Sequence, residues 1–388
     1  MNNLLDRGVM DVIVKKDLEE LMKKRKITVY LGIDPTSTVI HLGNCIALRK
    51  LRDFQNEGHN VIFLVGSFTA LIGDTSDKNA MRKTLTPEEV QENFQTYKEQ
   101  ASKILDFSKC KIVYNADWLG KLTLQELIGL ASKFTVQQMI EREMYQVRLQ
   151  EGKPIGLHEF LYPLMQGYDS VALDVDLEIG GNDQLFNMLA GRTLQKVLKN
   201  RDKHVMTLPL IEGTDGRKMS KSYGNTININ DTPNDQYGKI MSMKDELILR
   251  YFTLCTDLSD KEIKEIESEL KSGGNPRNAK MRLGREIVKL YHGEKEAQEA
   301  EENFIRVFQK HDMPEVIEEM ALGKEKMNIV ELLAITKLAP SKNEARRLIE
   351  GGGVKIDNQK IESDKEEIDL TSEKTLQVGR RKFMKVRK

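Results

Sequence analysis

Two lysines lie three residues apart in a short polar segment, Lys218-Met219-Ser220-Lys221-Ser222. Gly216 precedes this segment and Gly224 follows it, and glycine gives the backbone the freedom that a moving loop needs. Two ammonium groups on such a loop could bind phosphate and release it again. Most lysine pairs in loops are only solvated, so a phosphate-binding role depends on a second motif elsewhere in the chain.

A second polar motif, His41-Leu42-Gly43-Asn44, opens a segment with helical periodicity and follows an apolar, strand-like run. The N-terminus of a helix carries partial positive charge and favours an anionic ligand. The amide of Asn44 could donate to a phosphate or a ribose. A single histidine at this position is more often structural, although together with the lysine loop it predicts a divided phosphate site.

A third set of polar residues, Tyr162, Gln166 and Asp169, has the spacing i, i+4 and i+7 and therefore shares one face of a predicted helix. That face would otherwise point into the core. Buried polar groups need hydrogen-bond partners, which either a bound polar substrate or an internal network could supply. The spacing alone leaves both interpretations open.

Composition narrows the class of protein. The chain has 388 residues, with 39% hydrophobic and 31% charged residues, and this length predicts about two or three domains. Sixty basic residues balance sixty acidic ones, so any site for a polyanion must be a local patch. Cys45, Cys110 and Cys255 are not in CxxC spacing, which favours a reducing compartment and no metal site. No run approaches the ~18 apolar residues of a membrane span, and we expect a cytoplasmic protein.

Strands and helices are predicted to alternate in the first half of the chain, which indicates an α/β fold with a parallel sheet. Strands are expected at 28–33, 60–65, 111–114, 174–179 and 205–211, and helices at 11–25, 41–57, 86–105, 122–147, 157–171 and 183–198. Helices without strands follow at 234–255, 261–270, 280–291 and 294–308. Two short helices at 329–335 and 341–349, with strands at 354–356 and 376–378, predict a small α+β unit.

The histidine motif and the lysine loop, in this order on one α/β domain, resemble the two signatures of class I aminoacyl-tRNA synthetases. The family usually has His-Ile-Gly-His at the first signature, where this chain has Leu42 and Asn44. The third set, with Tyr30-x-Gly32-x-Asp34-Pro35-Thr36 and Gly180-Gly181-Asn182-Asp183-Gln184, resembles the tyrosyl-tRNA synthetase family across almost the whole chain. The resemblance is to the bacterial type that carries KMSKS.

This resemblance implies three domains. The first, 1–217, is a Rossmann-like catalytic domain whose helical insertion, at about 110–147, forms a dimer interface. The second, 218–320, contains the KMSKS loop and an α-helical domain for the anticodon region. The third, 327–388, is an S4-like RNA-binding domain, in which Arg346 and Arg347 and the basic tail from Arg380 would contact RNA.

The resemblance also implies a tyrosine site. Tyr30 and Asp169 would hydrogen-bond the phenolic hydroxyl, and a site of this kind leaves polar groups unpaired when phenylalanine enters. The ammonium group would be held by Asp74, Tyr162 and Gln166, and the carboxyl group would lie beside Gln184.

An ATP site is implied in the same way, and its predicted residues are Gly32, Asp34, His41, Asn44, Gly181, Asp183, Met219 and Lys221. Charge that develops on the phosphates, with Mg²⁺ bound to ATP, would be stabilised by His41, Thr36, Lys218, Lys221, Lys78 and Arg82. Asp77 stands beside Lys78 where the family often has glycine.

The expected reaction joins tyrosine to ATP, releases pyrophosphate and transfers the tyrosyl group to the 3′ end of tRNA(Tyr). The expected partners are tyrosine, ATP, tRNA(Tyr) and a second copy of the chain, with apolar residues 124–140 at the dimer interface or in the core. Two alternatives are a tryptophanyl-type synthetase and a non-catalytic RNA-binding protein on the same fold. The intact lysine loop, His41 and Asp183 argue against the second alternative.

Overall fold

The computed structural model describes residues 4–36, 38–73, 86–309, 317–357, 359–379 and 382–388. The chain divides into two compact units, 1–297 and 298–388. None of the helices in the described ranges combines the length and apolar character needed to cross a lipid bilayer.

The first unit begins with alternating strands and helices. In chain order these are β1 Asp11–Ile13, α1 Lys15–Lys24, β2 Thr28–Ile33, α2 Leu42–Asn56, β3 Asn60–Val65, α3 Thr69–Ile72, α4 Pro87–Ala101, β4 Cys110–Tyr114, α5 Ala116–Leu119, α6 Leu124–Ala131, α7 Val136–Ile140, α8 Glu143–Gln150, α9 Tyr162–Leu173, β5 Leu177–Gly181, α10 Leu185–Lys199 and β6 His204–Leu208. The helical region that follows contains α11 Pro233–Ser242, α12 Ile248–Cys255, α13 Asp260–Lys271 and α14 Pro276–His292. Helix α15, Glu294–Gln309, begins in the first unit and continues into the second.

Six strands form the central sheet in the order β1-β6-β5-β2-β3-β4. All neighbouring strands are parallel except β1, which runs antiparallel to β6. The predicted α/β class with a parallel sheet is confirmed. Strand β2 lies between β3 and β5, so the chain order reverses beside it, and ligands of open α/β sheets bind at such a point.

Helix starts in this unit follow from local sequence. Thr86 accepts a hydrogen bond from the Glu89 N–H, the Glu89 carboxylate accepts one from the Thr86 N–H, and Pro87 occupies the first turn of α4. Helices α9 and α10 approach closely, because a Cβ on Gly167 would lie 3.1 Å from the backbone nitrogen of Gly191. Glycine at this crossing lets the two backbones pack directly against each other.

Several predicted elements were wrong in extent. Residues 11–13, expected at the start of a helix, form strand β1, because they pair with Val205 to Thr207 of β6. The helix expected at 122–147 is three helices, since Thr123 and Thr135 each cap a new one. The helix expected at 234–255 is interrupted at Met243 and resumes as α12. The strand expected from Asp174 begins at Leu177, and that expected to reach Ile211 ends at Leu208.

The second unit is a small α+β fold. Its elements are β7 Glu319–Ala321, β8 Lys326–Asn328, α16 Ile329–Ile335, α17 Lys342–Glu350, β9 Val354–Ile356, β10 Gln359–Lys360, β11 Glu367–Asp369, β12 Lys374–Val378 and β13 Lys382–Arg387. The strands pair as β10-β9-β12-β13-β7 and β11-β8. The strands predicted at 354–356 and 376–378 lie in β9 and β12, which are antiparallel neighbours. Strand β9 also forms a hairpin with β10, and β12 forms another with β13.

Candidate active site

A cavity of about 700 Å³ opens beside β2 and β5 of the central sheet. Every described residue among those predicted for the site lines it, namely Tyr30, Gly32, Asp34, Thr36, His41, Asn44, Tyr162, Gln166, Asp169, Gly181, Asp183, Gln184, Lys218, Met219 and Lys221. Asp74, Lys78 and Arg82 lie outside the described residues, so their predicted roles stay predictions. The three sequence motifs therefore surround one space.

His41 is the N-cap of helix α2 and faces this cavity. Its Nδ1 accepts from the Asn44 N–H at 3.4 Å, and the Asn44 Oδ1 accepts from the His41 N–H at 3.2 Å. This reciprocal capping box holds the imidazole at the positive end of the helix. A Cβ on Gly43 would lie 3.1 Å from the His41 ring, so glycine leaves room for it.

The lysine loop lies against the histidine motif across the cavity. The Met219 N–H donates to the Ile211 carbonyl at 2.9 Å, and the Met219 side chain is buried while its backbone forms part of the loop. Lys221 Nζ donates to the Val39 carbonyl at 2.5 Å, two residues before His41. Lys218 Nζ donates to Asp183 Oδ2 at 3.1 Å. Both ammonium groups therefore lie between the N-terminus of α2 and the turn that follows β5.

Burial and charge change the titration of two of these groups. Burial, together with Lys221 and Lys218 nearby, lowers the pKa of His41 to about 4, so the imidazole is neutral near pH 7. Removal from water lowers the pKa of Lys221 to about 8. Lys221 is therefore cationic at neutral pH and becomes neutral in mildly alkaline solution.

Asp169 points into the other end of the cavity and is 2% exposed. Trp118 Nε1 donates to its Oδ1 at 2.7 Å, and Asn115 Nδ2 donates to its Oδ2 at 3.2 Å. Burial raises the pKa of Asp169, while these two hydrogen bonds oppose the rise. Two fixed donors hold the carboxyl plane, so its position is defined before any ligand binds.

Asp34 connects two walls of the cavity. The hydroxyl of Tyr162 donates to Asp34 Oδ2 at 2.8 Å, and that of Thr69 donates to Oδ1 at 2.6 Å. A Cβ on Gly66 would lie only 1.8 Å from Asp34 Oδ1. Glycine at position 66 is thus required for Asp34 to reach this position.

A buried polar network that was not predicted from the sequence lies beneath the same wall. Glu178 forms an ion pair with Lys203, and both side chains are almost fully buried. Glu178 Oε1 accepts from Gln166 Nε2 at 3.1 Å. Lys203 Nζ donates to Ser170 Oγ at 2.7 Å, and Ser170 Oγ lies 2.8 Å from the Tyr30 hydroxyl. Two of the predicted tyrosine contacts, Tyr30 and Gln166, are therefore joined by one network.

The sequence contained only part of the signal for these residues. Glu178 is acidic within a strand-like run, and a buried carboxylate needs a cation or a donor. Nothing local identifies Lys203, 25 residues away, as its partner. Asn115 and Trp118 follow β4 and reach Asp169 only because β4 lies in the same sheet as β2.

The arrangement separates two kinds of chemistry. One end offers ammonium groups and a helix N-terminus, which suit phosphate groups. The other end offers Asp169, Tyr30 and Gln166, which suit a ligand with a hydroxyl and an amine. Among the described residues, no three His, Cys, Asp or Glu side chains come together in a way that could hold a metal ion.

Family models match nearly the whole chain. The model described as tRNA synthetases class I (W and Y) matches residues 22–309. The model of the Tyrosine--tRNA ligase SYY-like C-terminal domain matches residues 306–388.

Full-length relatives are also similar. A Tyrosine--tRNA ligase of Thermotoga maritima is 48% identical over 386 residues, which cover 99% of this chain and 96% of that protein. A Tyrosine--tRNA ligase of Haemophilus influenzae is 46% identical, with coverage of 99% of this chain and 96% of that protein.

Solved structures share the fold of most of the chain. A C-terminally truncated mitochondrial tyrosyl-tRNA synthetase from Aspergillus nidulans matches with a TM-score of 0.65 and 23% identity, covering 79% of this chain and 93% of that one. The tyrosyl-tRNA synthetase of Archaeoglobus fulgidus, complexed with L-tyrosine, matches with a TM-score of 0.62 and 24% identity, covering 77% and 98%.

Proposed function

This chain belongs to the class I tRNA synthetases for tryptophan and tyrosine, and we propose that it carries out its tyrosine–tRNA ligase activity in the cavity described above. The relatives that cover its full length are named Tyrosine--tRNA ligases, so neither the tryptophan enzyme nor a non-catalytic RNA-binding protein is supported. The observation that carries the proposal is the convergence of all three sequence motifs on one cavity.

The deep end of the cavity takes the tyrosine side chain in this proposal. Asp169 accepts a hydrogen bond from the phenolic hydroxyl, and Tyr30 donates one to the phenolic oxygen. The ammonium group lies against Gln166 and Tyr162, with Asp74 as the predicted third contact, and Gln184 faces the carboxyl group. Asn187 Nδ2 donates to Gln184 Oε1 at 2.9 Å, which fixes the orientation of the Gln184 amide.

ATP occupies the mouth of the cavity, with its ribose at Gly181 and Asp183 and its phosphates between His41 and the lysine loop. The tyrosine carboxylate attacks the α-phosphorus, and pyrophosphate leaves. Negative charge then grows on the transferring and leaving phosphates, where Lys218, Lys221 and Thr36 stabilise it. His41 is neutral and contributes as a hydrogen-bond donor rather than as a charge. A ribose hydroxyl at the 3′ end of tRNA(Tyr) then attacks the carbonyl carbon of tyrosyl-adenylate, which forms the tyrosyl ester and releases AMP.

Mg²⁺ enters with ATP in this proposal. Magnesium in such sites is commonly held by substrate phosphates, waters and one or two carboxylates. Asp34 and Asp183 are the carboxylates that line the described cavity near the phosphate end. The ion would neutralise phosphate charge, and loss of activity in EDTA that is not restored by added Mg²⁺ would contradict this role.

The activity is tested by ATP–pyrophosphate exchange with each of the twenty amino acids. We expect exchange with tyrosine and none above background with phenylalanine or tryptophan, because only tyrosine pairs with both Tyr30 and Asp169. Exchange with tryptophan and not with tyrosine would overturn the proposal. The absence of exchange with all twenty amino acids would also overturn it.

We also propose that the protein is a homodimer through the helices that follow β4. Large apolar side chains are exposed there, with Leu124 73%, Ile128 61% and Val136 64% exposed. Met139, which the sequence placed at either the interface or the core, is buried within the chain. Several exposed apolar side chains on adjacent helices indicate a protein interface.

Sedimentation at micromolar concentration tests the dimer. We expect a mass near twice that of the 44.4 kDa chain, and Leu124→Glu combined with Ile128→Glu should give a folded monomer. The matched control is Val197→Glu, because Val197 is 54% exposed on α10, outside those helices. A monomeric unaltered protein would contradict the proposal.

The second unit binds tRNA in our proposal, as the family match at 306–388 suggests. Helix α17 presents Arg346 and Arg347, whose side chains are 48% and 80% exposed. Arg380 and Arg381 lie outside the described residues. Lysine and arginine contacts to phosphate give affinity that falls with salt.

Arg347→Glu should therefore raise the KM for tRNA roughly threefold to tenfold, since a lost phosphate contact and an added like charge each weaken binding. Exchange without tRNA should not change. Lys24→Glu on helix α1 is a charge-matched control. An equal rise in KM for both variants would show that only total charge matters.

We also propose that the protein acts in the cytoplasm, because aminoacylated tRNA is used there. Cell fractionation that recovered the protein with membranes would contradict this location.

A further inference from the structure

Hydrogen bonds join the buried pair Glu178–Lys203 to residues at both ends of the proposed tyrosine pocket. Glu178 bonds Gln166, and Lys203 reaches Tyr30 through Ser170. Glu178 and Lys203 are 2% and 0% exposed. Burying two opposite charges costs much desolvation and is often no gain in stability over apolar side chains. Glycine at position 191 of α10 leaves room for the ammonium group, since a Cβ there would lie 2.5 Å from Lys203 Nζ. Because burying this ion pair does not clearly stabilise the fold, a role of the pair in the neighbouring pocket would explain its presence.

Glu178 determines which end of the Gln166 amide faces the ligand. An ionised carboxylate can only accept hydrogen bonds, so the Gln166 NH₂ must turn toward Glu178 Oε1, at 3.1 Å. The Gln166 Oε1 is then left buried at the cavity wall without a partner. A buried acceptor of this kind matches an ammonium group. If the amide were reversed, its NH₂ would meet that ammonium group and repel it.

Lys203 determines the direction of the second branch. An ammonium group can only donate, so Ser170 Oγ accepts from Lys203 at 2.7 Å. The single Ser170 proton has two oxygens within reach, that of Tyr30 at 2.8 Å and Glu178 Oε2 at 3.4 Å. The shorter contact favours donation to the Tyr30 oxygen. With its oxygen already accepting, Tyr30 keeps its own proton for another acceptor. In the ligand-free pocket Glu178 lies close enough to accept it, and a phenolic oxygen would replace Glu178 when tyrosine binds.

We propose that Glu178 and Lys203 form a positioning pair that fixes the direction of the hydrogen bonds at both ends of the tyrosine pocket. Glu178 makes Gln166 an acceptor toward the ammonium group. Lys203, through Ser170, makes Tyr30 a donor toward the phenolic oxygen. The assignment depends on tyrosine being the substrate, and neither residue of the pair needs to touch it.

Two variants separate the branches. Glu178→Gln keeps the size of the side chain but allows the Gln166 amide to reverse. Ser170→Ala removes the link to Tyr30 and leaves the ion pair in place. Binding of three competing ligands is measured for each variant by inhibition of exchange or by calorimetry: tyrosine, phenylalanine and 3-(4-hydroxyphenyl)propionate, which lacks the ammonium group.

The expected result is a crossed pattern. Glu178→Gln should weaken tyrosine and phenylalanine by about 10-fold or more, as for lost hydrogen bonds to charged groups, and should leave 3-(4-hydroxyphenyl)propionate unchanged. Ser170→Ala should weaken tyrosine and 3-(4-hydroxyphenyl)propionate by roughly 5-fold to 10-fold and leave phenylalanine unchanged. A general loss of packing would weaken all three ligands alike in both variants, and that outcome would overturn the proposal.

Glu178→Gln leaves Lys203 buried without its partner, so this variant could fail to fold. The double variant Glu178→Gln with Lys203→Met removes both charges and keeps similar volume. In this variant phenylalanine should show only the loss at the ammonium end and 3-(4-hydroxyphenyl)propionate only the loss at the phenol end. Tyrosine should show both losses and therefore weaken more than either analogue, whereas an equal loss for all three ligands would indicate a general loss of packing. Unchanged affinity for all three ligands in the double variant would reject the pair's role. Exchange by the unaltered enzyme tests the substrate itself, so a wrong substrate and a wrong role for the pair give different results.

Discussion

Lys221→Ala should slow formation of the adenylate by about 100-fold to 1000-fold, the usual effect of losing one preorganised group that stabilises transition-state charge. Affinity for tyrosine should stay within about twofold, because Lys221 lies at the phosphate end of the cavity and contacts the Val39 carbonyl. Single-turnover kinetics give the rate of the chemical step, and equilibrium titration gives the affinity for tyrosine.

The control is Lys244→Ala, which removes a lysine whose Nζ lies near Gly216 at the base of the same loop but does not line the cavity. It should retain most of the activity. An equal loss of rate and of tyrosine affinity in Lys221→Ala would show that the loop supports the pocket in general and does not act on the phosphates.

The pH profile gives an independent check of the same group. The pKa of Lys221 is lowered to about 8 in the ligand-free protein. Its charged form is therefore lost as pH rises through about 8, and kcat/KM for ATP should fall on that alkaline side. Lys221→Arg should move this fall to higher pH, because guanidinium stays protonated. A profile that is identical in Lys221→Arg would assign the alkaline limb to another group.

Asp169→Asn should reduce kcat/KM for tyrosine by about 100-fold or more, since it replaces one acceptor oxygen with an amide donor and leaves a buried donor unpaired. Trp118 and Asn115 both donate to this carboxyl group, and the amide nitrogen of asparagine would face one of these donors. Discrimination against phenylalanine should fall at the same time, because phenylalanine makes no hydrogen bond to Asp169. Exchange kinetics with both amino acids measure the two effects.

Asp176→Asn is the matched control for that change. Asp176 is also 2% exposed, but it is held by Arg25 and Arg201 and does not line the cavity. Its loss should lower the thermal midpoint without changing the ratio of tyrosine to phenylalanine activity. If both variants changed that ratio equally, Asp169 would have no special place in recognition.

Much of the site could be predicted because its motifs are local. The turn after β5 and the start of α2 are each encoded in a few consecutive residues, and a sheet of parallel strands brings them to one edge. The face formed by Tyr162, Gln166 and Asp169 follows from helical geometry alone.

Other features depend on contacts that sequence spacing does not contain. Asp11 to Ile13 fits a helical pattern, and only the pairing with β6, at Thr207 to Val205, makes it a strand. The separation of α6 from α7 depends on whether Thr135 caps a helix or lies inside one. Glu178 and Lys203 look like ordinary surface charges until the fold brings them together beneath the cavity wall.

Because of the capping box at the start of α2, replacing His41 should have two effects that can be measured separately, one on stability and one on the reaction rate. Its imidazole both lines the cavity and accepts the Asn44 N–H, so replacing it changes helix stability by about 1 kcal/mol as well as the reaction rate. Comparing rates alone would therefore assign to chemistry a loss that belongs partly to folding. Asn44, which differs from the usual second histidine of the motif, has a defined mechanical role in this chain, because its Oδ1 accepts from the His41 N–H and so fixes the backbone that carries the imidazole. Denaturation midpoints measured beside rates, for variants at both positions, would divide the total effect between the two.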